Sequence, residues 1–160
     1  NYRQAQIVGG AGTGKTFIGI KKAVRDALDG KKVLFTCCNE ELTAFVQTRL
    51  CQYESITVCT YNQLIRELLG AQYDSLPTNA NGNKNCFELM DQIEADKKYD
   101  SIIVDEAQDF DIDMGFAIRS LLRDEGNSSL YVFYDKNQNV FEMDFENAFA
   151  IDAPPLCFAV

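Results

Sequence analysis

Apolar positions along this chain switch repeatedly between two spacings: short unbroken runs, and residues recurring every third or fourth place. The unbroken runs predict strands, and the almost continuous "KKVLFTCC" marks a sheet covered on both faces. The runs are the segment ending at Gln6–Val8, "KKVLFTCC" (31–38), "SITVCT" (55–60), "DSIIV" (100–104) and "SSLYVFYD" (128–135). The wider spacing predicts helices. One runs from Thr16 to about Leu28, with Phe17, Ile20, Val24 and Leu28 on one face and "DG" at 29–30 closing it. "EELTAFVQTRL" (40–50) repeats the pattern with Leu42, Phe45, Val46 and Leu50. Thr60 with Gln63 forms a capping box that opens "YNQLIRELL" (61–69). "CFELMDQIEADKK" (86–98) reads as a short amphipathic helix and "DMGFAIRSLLRD" (113–124) as another. Ahead of these two, the polar, Asn-rich stretch 70–86 reads as a surface loop or a reduced insertion. Strands alternating with helices predict an α/β fold, an open parallel sheet with helices on both faces, whose ligands bind at the carboxyl ends of the strands.

Composition narrows this picture only slightly. The 160 residues are 46% hydrophobic and 24% charged, ordinary for one globular domain. No apolar run approaches the roughly 18 to 20 residues of a membrane span. The net charge of −9 argues against a simple basic nucleic-acid module, though not against binding through one local face. Six cysteines form no C-x-x-C pair, and there is no histidine to complete a zinc set. They are expected as reduced, buried thiols of a cytoplasmic protein. The chain begins at Asn1 and ends in the strand-like "DAPPLCFAV", and reads as a fragment of a longer protein.

Candidate chemistry starts at "GGAGTGKT". Gly9, Gly10, Ala11, Gly12, Thr13, Gly14, Lys15 and Thr16 satisfy the P-loop pattern, directly after a strand and before a helix. Glycines let successive backbone N–H groups point inward at a polyphosphate, and the helix start adds its positive end. Lys15 supplies a point charge for the terminal phosphates, and the Thr16 hydroxyl is placed to ligate Mg²⁺. The second element is "SIIVDEAQD". Asp105 emerges at the carboxyl end of a buried strand as the metal-holding acid, and Glu106 follows as the general base for an attacking water.

"GGAGTGKT" followed by "DEAQDF" resembles the ATPase core of superfamily 1 helicases of the UvrD/Rep type. "VLFTCCNEEL" (33–42), "TYNQL" (60–64) and "VFYDKNQNVF" (132–141) resemble that family's motifs Ia, Ib and III in order. The resemblance implies the first RecA-like domain over residues 1–160, ending after motif III, with ATP and Mg²⁺ as cofactors. It implies Gln138 as γ-phosphate sensor, Asp135 as the motif III acid, and Gln108 and Asp109 as supports of the nucleotide site. Thr36, Asn39, Thr60 and Tyr61 would line a single-stranded nucleic-acid path, DNA by preference. Thr36 and Thr60 read equally well as an ordinary strand residue and a helix cap.

The chain departs from that family in four places. Tyr134 stands where motif III usually has Gly. The segment 63–100 is too short for the family's large inserted subdomain. No upstream adenine-reading glutamine is present unless Gln4 or Gln6 serves. The second RecA-like domain, with its arginine fingers, is not in these residues, and Arg119 and Arg123 are expected at the surface of a helix. The implied function is therefore the ATP-binding core of a helicase or translocase. The alternatives are a P-loop switch acting on a protein partner or attached nuclease, and a binding module with a vestigial loop.

Overall fold

The computed structural model describes residues 3–80, 82–135 and 148–158. Six strands form one sheet: β1 (Gln4–Gly9), β2 (Val33–Cys37), β3 (Ile56–Thr60), β4 (Ser101–Val104), β5 (Ser129–Tyr134) and β6 (Leu156–Phe158). Every pairing is parallel, in the order β3-β2-β4-β5-β1-β6. β2, expected to be covered on both faces, is buried throughout, as is β4, while β3, at the edge, is buried only over its last two residues. This is the α/β architecture of a RecA-like P-loop domain.

Alternation along the strands divides the core in two. Ala5, Ile7, Val33, Phe35, Ile103 and Phe133 face α1 (Lys15–Leu28) and α2 (Glu40–Leu50). Val8, Leu34, Ile102, Val104, Leu130 and Val132 face α3 (Tyr61–Leu69), the four-residue turns α4 (Gln72–Ser75) and α5 (Phe87–Met90), and α6 (Ile112–Ser120). Among the described residues, no helix is long and apolar enough to cross a membrane.

Several local expectations need correction. In α1, Phe17 is 53% and Leu28 75% exposed, and the buried stripe is instead Lys15, Gly19, Ala23 and Asp26. Small residues there let the helix lie close on the sheet: a Cβ on Gly19 would come within 3.1 Å of the Phe35 ring and 3.3 Å of the Ile103 methyl. In α2, Thr43 is buried where Phe45 was expected. The helix expected over 86–98 forms only as α5, whose one buried residue is Met90, and resumes as a 3-10 turn at Ala95–Lys97. Without a continuing buried face, no packing stabilises further turns. The polar stretch 70–86 is tied down rather than merely superficial. Tyr73 and Cys86 join the core, and the Asn79 and Asn83 amides donate to Asp111 at the start of α6.

The six thiols are free, but only Cys37, Cys59 and Cys86 are buried; Cys51 and Cys157 are exposed. Burial pushes Cys59 up to about 12, which makes it unreactive. Arg119 is more than a surface residue. Its side chain is 19% exposed, pairs with Glu125 at 3.1 Å, and donates to Gln4 and to the carbonyl of Phe149 at 2.8 Å. Arg123 pairs with Asp100 at 2.6 Å.

Candidate nucleotide site

The site is assembled at the carboxyl ends of three adjacent strands. β5 lies between β1 and β4, so the ends of β1 and β4 are two strand spacings apart, about 10 Å. After Gly9 the chain turns back toward β4 through the glycine loop and enters α1. Gly12 and Gly14 have φ of +77° and +81°, a left-handed backbone that other residues reach only under strain. Gly14 is the cap of α1 and no side chain occupies its start, so the first-turn N–H groups have no side-chain acceptor. The space a Cβ would fill at Gly10, Gly12 and Gly14 is open. Thr13 fastens the loop on itself, its hydroxyl donating to the Gly10 carbonyl at 2.9 Å. Lys15 is 6% exposed, and its ammonium donates to the carbonyls of Gly9 (2.7 Å) and Gly10 (2.9 Å). Ala11 is exposed at the loop's tip.

The acidic turn meets this loop directly. Thr16 Oγ1 donates to Asp105 Oδ2 at 2.6 Å, joining residues 89 positions apart in sequence. Asp105 is 0% exposed, and its other oxygen accepts from the Glu106 amide at 3.0 Å. Burial pushes its carboxyl above the usual range; the Thr16 and Glu106 hydrogen bonds oppose this without overcoming it. No lysine or arginine among the described residues forms an ion pair with it.

Glu106 follows with φ 48° and ψ 47°, left-handed and not glycine. Such a conformation costs on the order of 1–3 kcal/mol and persists where surrounding structure enforces it. The enforcing contacts are visible. Gln108 Nε2 donates to Glu106 Oε2, and Gln108 Oε1 accepts from the Asp135 amide at 3.2 Å. Gln108 thus ties the acidic turn to the end of β5. Asp109 is also pushed upward, by burial and then by the Glu106 charge.

The residues present fit a magnesium-bound polyphosphate. Mg²⁺ keeps several waters and takes one or two protein ligands beside phosphate oxygens. The Thr16 hydroxyl against a buried, cation-poor carboxylate is a donor set of that kind. Among the described residues no cluster of three or more acids, thiols or imidazoles offers a self-sufficient metal cage.

The candidate nucleic-acid residues are less accessible than expected. Thr36 is 0% exposed; its carbonyl accepts from the Asp105 amide, and its hydroxyl has no partner among the described residues. Thr60 is 4% exposed and caps α3, the expected capping box being present. Tyr61 must be reassigned from base stacking to the core. It is 2% exposed, edge-on to Phe110 at 5.7 Å, with its hydroxyl 3.4 Å from Cys86 Sγ. The reason is local: the chain turns into α3 at Thr60, which swings the next side chain inward. Asn39 is exposed but caps α2, accepting from the Leu42 amide at 2.8 Å. Gln138 lies outside the described residues. Gln4 and Gln6, the two candidates for an adenine reader, both bond within the protein. Gln6 is 4% exposed and bonded to Tyr134 and the Ile151 carbonyl, and Gln4 holds Arg119.

Sequence reasoning missed Asp26, a buried acid at the opposite end of α1. Its one legible sign was Lys22 four residues earlier on the same helix.

A family model described as an AAA domain (AAA_19) matches residues 1–144. Among curated proteins, none matches this chain.

Proposed function

The chain belongs to the AAA domain family, P-loop domains of the type found in UvrD/Rep-like helicases, and we propose that it is the ATP-hydrolysing core of a nucleic-acid-dependent helicase or translocase. The observation that carries this reading is the 2.6 Å contact between Thr16 and Asp105. It brings the glycine loop and the acidic turn into one crevice, as a shared magnesium-bound triphosphate requires.

The loop amides and the Lys15 ammonium hold and neutralise the β- and γ-phosphates. Thr16 and Asp105 would hold Mg²⁺, which would supply further charge neutralisation on the phosphate oxygens. Glu106 orients a water and takes its proton as the water oxygen attacks the γ-phosphorus and the bond to the ADP oxygen breaks. Gln108 keeps the Glu106 carboxylate aimed. Its second bond, to the Asp135 amide, gives motif III a mechanical connection to the base. An arginine finger from a second RecA-like domain contributes roughly 10³ to 10⁵ in rate for this chemistry. The 160-residue chain by itself is therefore expected to bind ATP and turn over slowly.

A second reading, a P-loop switch acting on a protein partner or an attached nuclease, draws support from the burial of Thr36, Thr60 and Tyr61. ATPase assays of the full-length protein with and without single-stranded DNA separate the two, since only the motor is stimulated by the strand. In the same assay Glu106→Gln is expected to lower the rate about 10² to 10⁴-fold while leaving binding of a non-hydrolysable ATP analogue intact. An unchanged rate rules out Glu106 as the base.

A further inference from the structure

At the opposite end of the sheet from the glycine loop, a cavity of about 410 Å³ opens between the start of β1, the end of α1 and the start of β5. Four cations line it, Arg3, Lys22, Arg25 and Lys31, against two carboxylates, Asp26 and Asp29. Asp26 is already satisfied. It is 2% exposed and bonded by Lys22, by Lys31 at 3.2 Å and by the Ser101 hydroxyl at 2.5 Å. The guanidiniums are not so engaged. Arg25 is exposed and forms no ion pair among the described residues. Arg3 donates to neutral acceptors, the Gly126 carbonyl and the Asn127 side chain. Lys22 lies 4.6 Å from the centre of the Tyr131 ring. Burial holds its ammonium below the ordinary lysine range, and neighbouring Lys31 and Arg25 push the same way.

The charge is concentrated here against the trend of the molecule. Residues 1–39 contain seven of the fifteen Lys and Arg but two of the twenty-four acids, a net of +5 beside −14 over the remainder. Four of the seven line the cavity, and holding Asp26 engages two of those four. The cavity volume falls within the roughly 300–1,000 Å³ of small-ligand sites, and a guanidinium fork matches phosphate oxygens in geometry as well as charge.

We propose that this cavity is a second anion site that takes a phosphate group, held by Arg25 and Arg3 at the mouth with Lys22 beneath, independent of the glycine loop. The phosphate can come from a free di- or triphosphate or from the backbone of a nucleic-acid strand, and the same chemistry recognises both.

The test uses the chain carrying Lys15→Ala, which silences the glycine loop, titrated calorimetrically with pyrophosphate and separately with a single-stranded oligodeoxynucleotide. Pyrophosphate is expected to bind this variant, and addition of Arg25→Gln to weaken it about tenfold, the loss of one charge-assisted hydrogen bond; Arg3→Gln weakens it further. If the strand is the natural source, the oligonucleotide binds as well, and its salt slope falls by about 0.7 per cation removed. Pyrophosphate binding alone assigns the site to a small molecule. Absence of binding by both probes in Lys15→Ala, or affinities that ignore Arg25→Gln and Arg3→Gln, overturns the proposal. Arg25 is exposed and has no ion-pair partner among the described residues, so its substitution is not expected to threaten the fold. ATP binding at the glycine loop, the part abolished by Lys15→Ala, is expected to be unchanged by Arg25→Gln, so failure here leaves the nucleotide-site reading standing.

Discussion

Asp26 and Asp105 lie at opposite ends of the same sheet, at 2% and 0% exposure, and their carboxyls are shifted in opposite directions. Around Asp26, burial works against the charge, but hydrogen bonds from Lys22, Ser101 and Lys31 outweigh it and hold the group below the usual range. Ser129 extends the network by donating to the Ser101 hydroxyl at 2.9 Å, so α1, β4 and β5 are pinned together at their far end. Around Asp105 burial, reinforced by the Glu106 charge, outweighs the hydroxyl, the amide and the weaker pull of the Lys15 charge, and the group stays above the usual range. A buried acid whose charge the protein completes by itself is a structural joint. One that it leaves electrically incomplete is suited to an external cation. Equal burial thus separates into two functions according to who supplies the countercharge.

The sharpest way to break this contrast is Asp26→Ala. It leaves Lys22 and Lys31 facing a buried gap and is expected to cost about 3 kcal/mol in urea denaturation, the scale of a broken buried pair. Because its folded pKa is depressed, the Asp26 contribution is present above the unfolded carboxyl value of about 4 and is lost as pH falls through the folded one. The difference between the wild type and Asp26→Asn should therefore fade on acidification below about pH 4. A mild, pH-independent loss would mean that Asp26 is no ionic joint.

Asp105→Asn should move stability the other way. A raised carboxyl pKa means that the charge costs native stability above the folded pKa, and that this cost disappears as pH falls. At neutral pH the variant is expected to melt about 2–4 °C higher, the shift that 1 kcal/mol produces in a chain of this size. Mg²⁺ with a non-hydrolysable ATP analogue should reverse the ranking, since ligand binding stabilises the chain that binds it better. A lower melting temperature for Asp105→Asn without ligand would remove the contrast altogether.

The smallest expected effect is at Glu106. Glu106→Gly relieves a left-handed strain of about 1 kcal/mol, which offsets glycine's extra chain entropy of about the same size. Thermal melting should barely move while hydrolysis is lost. A melting temperature lowered as much as by a glycine placed in α3 would show that the turn at Glu106 is not enforced by its surroundings.

The strand runs, the glycine loop and the acidic turn were legible because each is a local pattern: continuous apolar residues need cover on both faces, and a backbone cradle needs glycine at φ above zero. The Thr60 cap was legible for the same reason, its partner Gln63 being three residues away. The stripe of α1 was misread because Gly19 and Ala23 are buried for their smallness, a requirement set by Phe35 and Ile103 from other strands. Tyr61 looked like a stacking ring until Phe110 and Cys86 closed around it.

By itself, then, the sequence determined the order of elements, the parallel sheet and the residues able to meet a triphosphate, since these follow from periodicities and turns a few residues long. Tertiary structure alone decided which of two equally buried aspartates is neutralised from within. It decided as well that Gln108 reaches both Glu106 and Asp135, and that four of the seven cations in the first 39 residues line one cavity. Charge balance and burial depend on neighbours brought together across the sheet, as Asp26 and Ser101 are from 75 positions apart, and no local pattern records them.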